Sequence, residues 1–279
     1  MACEARYPIR RVAEITGVNP VTLRAWQRRY GLIKPARTDS GHRLYSDDDI
    51  ARIRRILHWL DQGVSIGKVR DLIDQPDSTP VNPQWQAIVE RLGAASQALR
   101  RGKLESELRE LSRQYPVDHF ISRIVRPWLA QLAESPRVDQ PLIEQLSIQL
   151  LMELLGRFIK SRSGPLVAVV RCGRTHPLET VLARYQLQAL KCRSIDLGEL
   201  EPDQLLLAGQ RLQAQAYLVI PGPGLNQGWF DRHRQHWPET TLFSGEVGNI
   251  YARSGWLPHP YHPSISQLVK QHDTLPDLV

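Results

Sequence analysis

Apolar residues along the first 74 positions recur at helical spacing in four short runs, broken by glycine and by one polar turn. PIRRVAEITGV reads as a helix closed by Gly17, and Asn19 followed by Pro20 supplies an N-cap and a first helical residue for the next. That next helix, TLRAWQRRYGL, places Leu23, Trp26 and Tyr30 on one side, with Arg24, Gln27 and Arg28 elsewhere, and Gly31 stops it. LIKPARTDSGHRLYS then alternates short apolar pieces around a polar DSG turn, as a two-stranded wing would. Ser46 caps DDDIARIRRILHWLDQG, whose first turn carries three acids, and SIGKVRDLID follows Gly63. Residues 1–74 are thus expected to form a winged helix-turn-helix.

The pattern changes twice more. QPDSTPVNP, over 75–83, reads as a proline-containing linker. From 84 to 162 apolar positions recur at three and four through WQAIVERLGAASQALRRG, KLESELRELSRQY, FISRIVRPWLAQLAES and PLIEQLSIQLLMELLGRFIKSR, which predicts a four-helix bundle. Over 163–279 short apolar runs, LVAVVR, CRSIDLG and AYLVIPGPG, alternate with the amphipathic segments ETVLARYQLQAL and EPDQLLLAGQRLQ. That alternation predicts an open parallel, Rossmann-like sheet with helices on its faces and a C-terminal tail, which FDRHRQHWPETTLFSGEVG can extend. The expected class is multidomain, α followed by α/β.

Length and composition agree with more than one domain: 279 residues with 42% hydrophobic content can bury a real core. The longest apolar runs are interrupted by polar residues and the N-terminus has no signal-like apolar core, so no membrane association and a cytoplasmic, bacterial location are expected. Three cysteines without metal or disulfide spacing fit a reduced compartment. Charge is uneven. Residues 1–74 hold 14 Arg and Lys against 9 Asp and Glu, a net of +5, while the remainder holds 22 against 20, a net of +2. A nucleic-acid reader attached to a near-neutral module would have this distribution.

A helix entering the major groove needs donors for base edges and phosphates, and the arginine fork serves both. Thr22, Arg24, Arg28 and Arg29 suit that role on the second helix, with Trp26 and Tyr30 beside them and Trp26 partly buried. The wing offers Arg37, His42, Arg43 and Tyr45 for backbone contacts. At these residues, IRRVAEITGVNPVTLRAWQRRYGLIKPARTDSGHRLYSDDDIARI, the chain resembles the MerR family of bacterial transcription regulators. AWQRRYGL is closest to the subgroup shared by light- and cobalamin-responsive regulators and MlrA-type activators of curli and biofilm genes, with Ala25 where many members have an aromatic. The resemblance implies homodimers on pseudo-palindromic promoter DNA, and activators that distort an over-long spacer so that RNA polymerase engages both elements. The linker stands where simpler members have a long heptad helix, so dimerisation is expected to use other surfaces.

A bundle followed by an open sheet is also what the cobalamin-responsive subgroup has. Its ligand pattern after the first strand, an acid, one residue, His, two residues and Gly, meets Arg174, Thr175, His176, Pro177, Leu178 and Glu179 here. The bundle signature, a Trp with a later Glu-His, is missing around Trp128. Hence no cofactor is expected, cobalamin included, and the MlrA-type relatives are favoured. For a small-molecule or protein effector the candidates are Arg174, His176 and the PGPG loop with Gly222 and Gly224, at a strand's carboxyl end. His233, His236, His259 and His262 lack a positioned partner for a metal, and no nucleophile stands with a base in a catalytic motif. The expected function is a DNA-binding regulator, not an enzyme. Its alternatives are a cobalamin-dependent light-responsive repressor and a small-molecule enzyme with a DNA-binding appendage.

Overall fold

Local capping sets the first elements. In the computed structural model, which describes residues 7–73, 85–160, 163–262 and 264–265, α1 (Ile9–Thr16) ends at Gly17 in the left-handed conformation. Asn19 Oδ1 accepts the Thr22 amide at 2.9 Å and starts α2 (Pro20–Ala25), which continues as a wide π-helical turn, Trp26–Tyr30. Gly31 closes that turn at φ +61°. A Cβ there would meet nothing within 4 Å, so backbone conformation and not space requires glycine. Ser46 and Asp49 exchange side-chain and backbone hydrogen bonds in a capping box that opens α3 (Asp47–Asp61), and α4 (Ile66–Leu72) follows.

The wing is a small antiparallel sheet. Its strands β2 (Ala36–Arg37) and β3 (Arg43–Tyr45) pair around the predicted turn, and β1 (Tyr7–Pro8) adds on the far side of β3 in the order β1-β3-β2. β1 has two residues and, unlike β2, no turn beside it in the sequence that points to β3, which is why the sequence shows only two.

The chain divides into two compact units, Met1–Leu151 and Met152–Val279. The first holds the winged module and most of the helical segment: α5 (Trp85–Gln97), α6 (Arg101–Gln114), α7 (Val117–His119) and α8 (Arg126–Ala133), followed by α9 (Gln140–Gly156). A π-helical stretch, Phe120–Val125, joins α7 to α8 just before Pro127, whose missing N–H cannot continue the regular ladder. Trp128 is fully buried, and its indole donates to Ser96 Oγ of α5 at 3.2 Å. The expected linker, 75–83, lies outside the described residues.

The second unit is an open parallel sheet ordered β5-β4-β6-β7: β4 (Leu166–Cys172), β5 (Arg193–Glu199), β6 (Ala216–Pro221) and β7 (Thr241–Phe243). Successive β4 residues face opposite layers, Val167 and Val169 toward α10 (Pro177–Ala189), and Ala168, Val170 and Cys172 toward α11 (Pro202–Leu212) and α12 (Gln227–Arg232). Both faces are dry, and a continuous apolar run, not an alternation, encodes the strand. A last helix, α13 (Glu246–Arg253), adds Tyr251 to the second layer. Cys172 and Cys192 are buried free thiols; burial pushes Cys192 up to about 12, which keeps it a thiol. Cys3 lies outside the described residues.

Candidate nucleic-acid interface

The second helix and the wing form one surface because side chains tie them together. Arg43 Nε donates to Gln27 Oε1 at 2.6 Å, joining β3 to the π-helical turn. Arg24 and Arg43 both act on the Tyr45 hydroxyl, whose pKa is raised by burial first and lowered in part by these two cations. Behind the helix, Arg52 of α3 donates to the Leu32 carbonyl at 2.6 Å and fixes the chain as it leaves the turn. The wing loop is held by Thr38 N–H to the His42 carbonyl at 2.9 Å and by Gly41 N–H to the Thr38 carbonyl at 2.8 Å.

Arg28, Arg37 and His42 are exposed, and among the described residues no hydrogen bond or ion pair engages their side chains. Arg37 also stands directly opposite Arg43 in the β2–β3 register. Like charges facing across strands repel, so the wing carries a local cost that an approaching polyanion would relieve. Val21, 51% exposed at the start of α2, is an outward apolar residue that a reading for charge passed over. An exposed aliphatic group on such a helix can meet a thymine methyl.

Three residues predicted to face DNA are placed inward. Thr22, Trp26 and Tyr45 have no exposed surface. Thr22 adjoins Leu23 on the packed side of α2, and Tyr45 is held in register against Tyr7 one residue before the α3 cap. Trp26 is buried because its indole N–H donates to the Gln114 carbonyl at 2.8 Å, across 88 residues of chain. Gln114 ends α6, so this is a terminal carbonyl without an intrahelical donor, and Trp26 caps it. Tyr30 is half-buried beside α4, and Arg29 pairs with Glu110 of α6 at 2.5 Å.

Further contacts repeat the theme of one segment finishing the helices of the other. Ile66, the first residue of α4, directs its N–H at the Tyr115 hydroxyl at 3.4 Å, and Arg123 reaches the Asp61 carbonyl at the end of α3 at 3.5 Å. His119 Nε2 lies 3.0 Å from Asp61 Oδ1. These are long or single contacts, but together with buried Trp26 they unite winged module and helical segment.

In the second unit the effector candidates come together, with Arg174 exposed and Arg171 Nε buried without a hydrogen-bond partner. His176 is exposed and caps α10, its Nδ1 accepting the Leu178 amide at 3.1 Å. Thr175 Oγ1 donates toward the Cys172 and Ile220 carbonyls at 3.4 and 3.3 Å, and Gly222 N–H donates to Cys172 O at 2.7 Å. A Cβ on Gly222 would lie 2.4 Å from Thr175 Oγ1, while one on Gly224 would meet nothing. These bonds extend the β4–β6 pairing past the carboxyl ends of the two strands, beside which such sheets usually bind ligands. Around His176 the flanking positions carry Arg174 and Glu179, not the acid and glycine of the cobalt-ligand pattern. Among the described residues no group of three or more His, Cys, Asp or Glu could hold a metal. None of the helices described is long and apolar enough to cross a membrane.

The family described as "MerR HTH family regulatory protein" matches residues 7–76. The chain is 39% identical over 142 residues to the HTH-type transcriptional regulator MlrA of Escherichia coli (strain K12), covering 51% of this chain and 56% of that protein. It is 30% identical over 146 residues to the HTH-type transcriptional repressor CarH of Myxococcus xanthus, covering 47% and 48%. The chain thus spans about half the length of the curated relatives it matches, yet each likeness is about twice as long as the family segment and reaches beyond the winged module. Among solved structures, a monomethylamine corrinoid protein of Methanosarcina barkeri aligns at a TM-score of 0.48 and 14% identity, over 67% of this chain and 97% of that one. That score carries no inference about a ligand.

Proposed function

Residues 7–76 are a MerR-type helix-turn-helix domain, and from that premise we propose that the chain is a transcription regulator that binds double-stranded promoter DNA through α2 and the wing. The observation that carries the reading is the unspent hydrogen-bonding capacity of Arg28, Arg37 and His42 on a surface fixed by the Arg43–Gln27 bond. Arg24 and Val21 complete the helix side. We assign it to homodimers in the cytoplasm that activate by distorting a promoter for RNA polymerase, with Met152–Val279 sensing an effector or holding the assembly. No reaction and no cobalamin are assigned. Supporting the last point, His176 Nδ1 is spent on a helix cap and the acid and glycine expected around it are Arg174 and Glu179.

The test is duplex binding by the full chain at several salt concentrations. Arg28→Ala and Arg37→Ala should each weaken binding with the fold intact. A lost phosphate contact makes the salt slope shallower by about 0.9. A lost base contact instead relaxes sequence preference by about 1–3 kcal/mol. Native affinity in the doubly substituted chain would overturn the assignment.

A further inference from the structure

Arg29 departs from the pattern of its neighbours. Its guanidinium lies 2.5 Å from Glu110 Oε1, and Gln114 Nε2 donates to the same oxygen at 2.7 Å. Glu110 belongs to α6, outside the matched residues 7–76. It is not a wandering surface acid. One turn further along α6, the Gln114 carbonyl is locked onto the buried Trp26 indole, so α6 is held in register against the same turn that carries Arg29. Glu110 also acts on Tyr30, whose hydroxyl pKa is raised by burial first, lowered by Arg29 and raised by Glu110.

A carboxylate fixed there opposes DNA in two ways. It occupies a cation of the recognition helix, and it sets a negative charge within a Debye length of any phosphate that Arg29 could reach. Both partners are about half exposed, 54% and 52%, so the pair is weak and can be exchanged for a phosphate. We infer that Glu110 is an autoinhibitory contact: it restrains Arg29 and lowers the DNA affinity of the winged module, so that a movement of α6 raises affinity by releasing it. The inference rests on the DNA-binding reading above.

The experiment uses the full chain and a random-sequence duplex, with anisotropy measured across a salt series. Glu110→Gln keeps a side chain that α6 and Gln114 can accommodate while removing the charge. It should tighten binding about two- to fivefold, the range of an exposed pair, and steepen the salt slope by about 0.9 as Arg29 gains a phosphate. Glu110→Lys should tighten it further. Arg29→Ala should cost little in the native chain but abolish the gain in the Glu110→Gln background. Unchanged or weaker binding by both Glu110 variants, while Arg28→Ala still weakens the native chain, would overturn the restraint and leave the DNA reading standing. If the native chain bound no duplex, both would fall.

Discussion

The two places where cations and histidines gather, the winged surface and the carboxyl edge of the parallel sheet, differ in how many of their side chains are tied to the fold. On the wing, Arg28, Arg37 and His42 end in solvent with no partner among the described residues, and Arg37 faces a like charge across the strands. At the sheet edge, His176 caps a helix, Thr175 reaches the carbonyls of two strands, and Gly222 has no room for a methyl group. The residue types alone would rank the two regions alike. What separates them is the like-charge pair, since Arg174 at the sheet edge also ends in solvent but only on the wing does an exposed guanidinium face its own kind across paired strands.

The comparison breaks most severely where the outward surface depends on its inward side. Trp26→Ala should destabilise the Met1–Leu151 unit by about 3–5 kcal/mol, the usual cost of emptying a buried indole site. Trp26→Phe keeps much of the packing but leaves the Gln114 carbonyl unpaired, at about 1–3 kcal/mol. Urea denaturation of both variants reads the difference. A surface-like change under about 0.5 kcal/mol in each would show that α6 does not support α2 and the turn after it.

How much of this could be read beforehand follows from sequence distance. The caps at Asn19, Ser46 and the glycine stops at Gly17 and Gly31 act within a few residues, so their letters announce them. The sheet was legible because burial on both faces writes an unbroken apolar run into LVAVV. The bond from Trp26 to Gln114 spans 88 residues and ends on a backbone carbonyl, which no side-chain letter encodes. Glu110, within KLESELRELSRQY, has the look of a solvated helix face. The available hint was Trp26 itself, since a buried indole must place its N–H somewhere.

Gly222→Ala tests the closed sheet edge. Its methyl would fall 2.4 Å from Thr175 Oγ1 and 2.8 Å from the Arg174 backbone carbon, forcing the two loops apart. A loss of about 1–3 kcal/mol is expected from such overpacking, read by thermal unfolding of the full chain. Gly224→Ala meets no neighbour, but its φ of +90° strains any other residue, so a smaller loss of backbone origin is expected there. A neutral Gly222→Ala would mean that the edge is open.

A pH series examines the inward side of the first region. His119 is mostly buried, and desolvation holds its pKa below the ordinary value although Asp61 pulls it upward. The unfolded chain therefore takes up this proton before the folded one does. Stability from this residue is complete above about pH 6.5 and falls as pH drops below it, by at most about 1.4 kcal/mol per pH unit, levelling once the folded group also protonates. Urea midpoints of the native chain should decline from pH 7 to pH 5 more steeply than those of His119→Gln. Parallel declines would remove His119 from the set of groups joining α3 to α7.

The smallest expected effect is the one that separates the two regions most sharply. His176 spends Nδ1 on the Leu178 amide and stands between Arg174 and Glu179, so its chemistry is that of a helix cap. Asn is a better cap than His, and its amide oxygen can accept the same N–H. His176→Asn should then leave thermal stability unchanged or slightly raised. Equilibrium dialysis with cobalamin should show the same uptake by native chain and variant, because Arg174 and Glu179 replace the acid and glycine of the ligand pattern. A complex formed by the native chain and lost on this substitution would make His176 a ligand. The wing would then not be alone in offering side chains to a ligand, and the second unit would be a sensor.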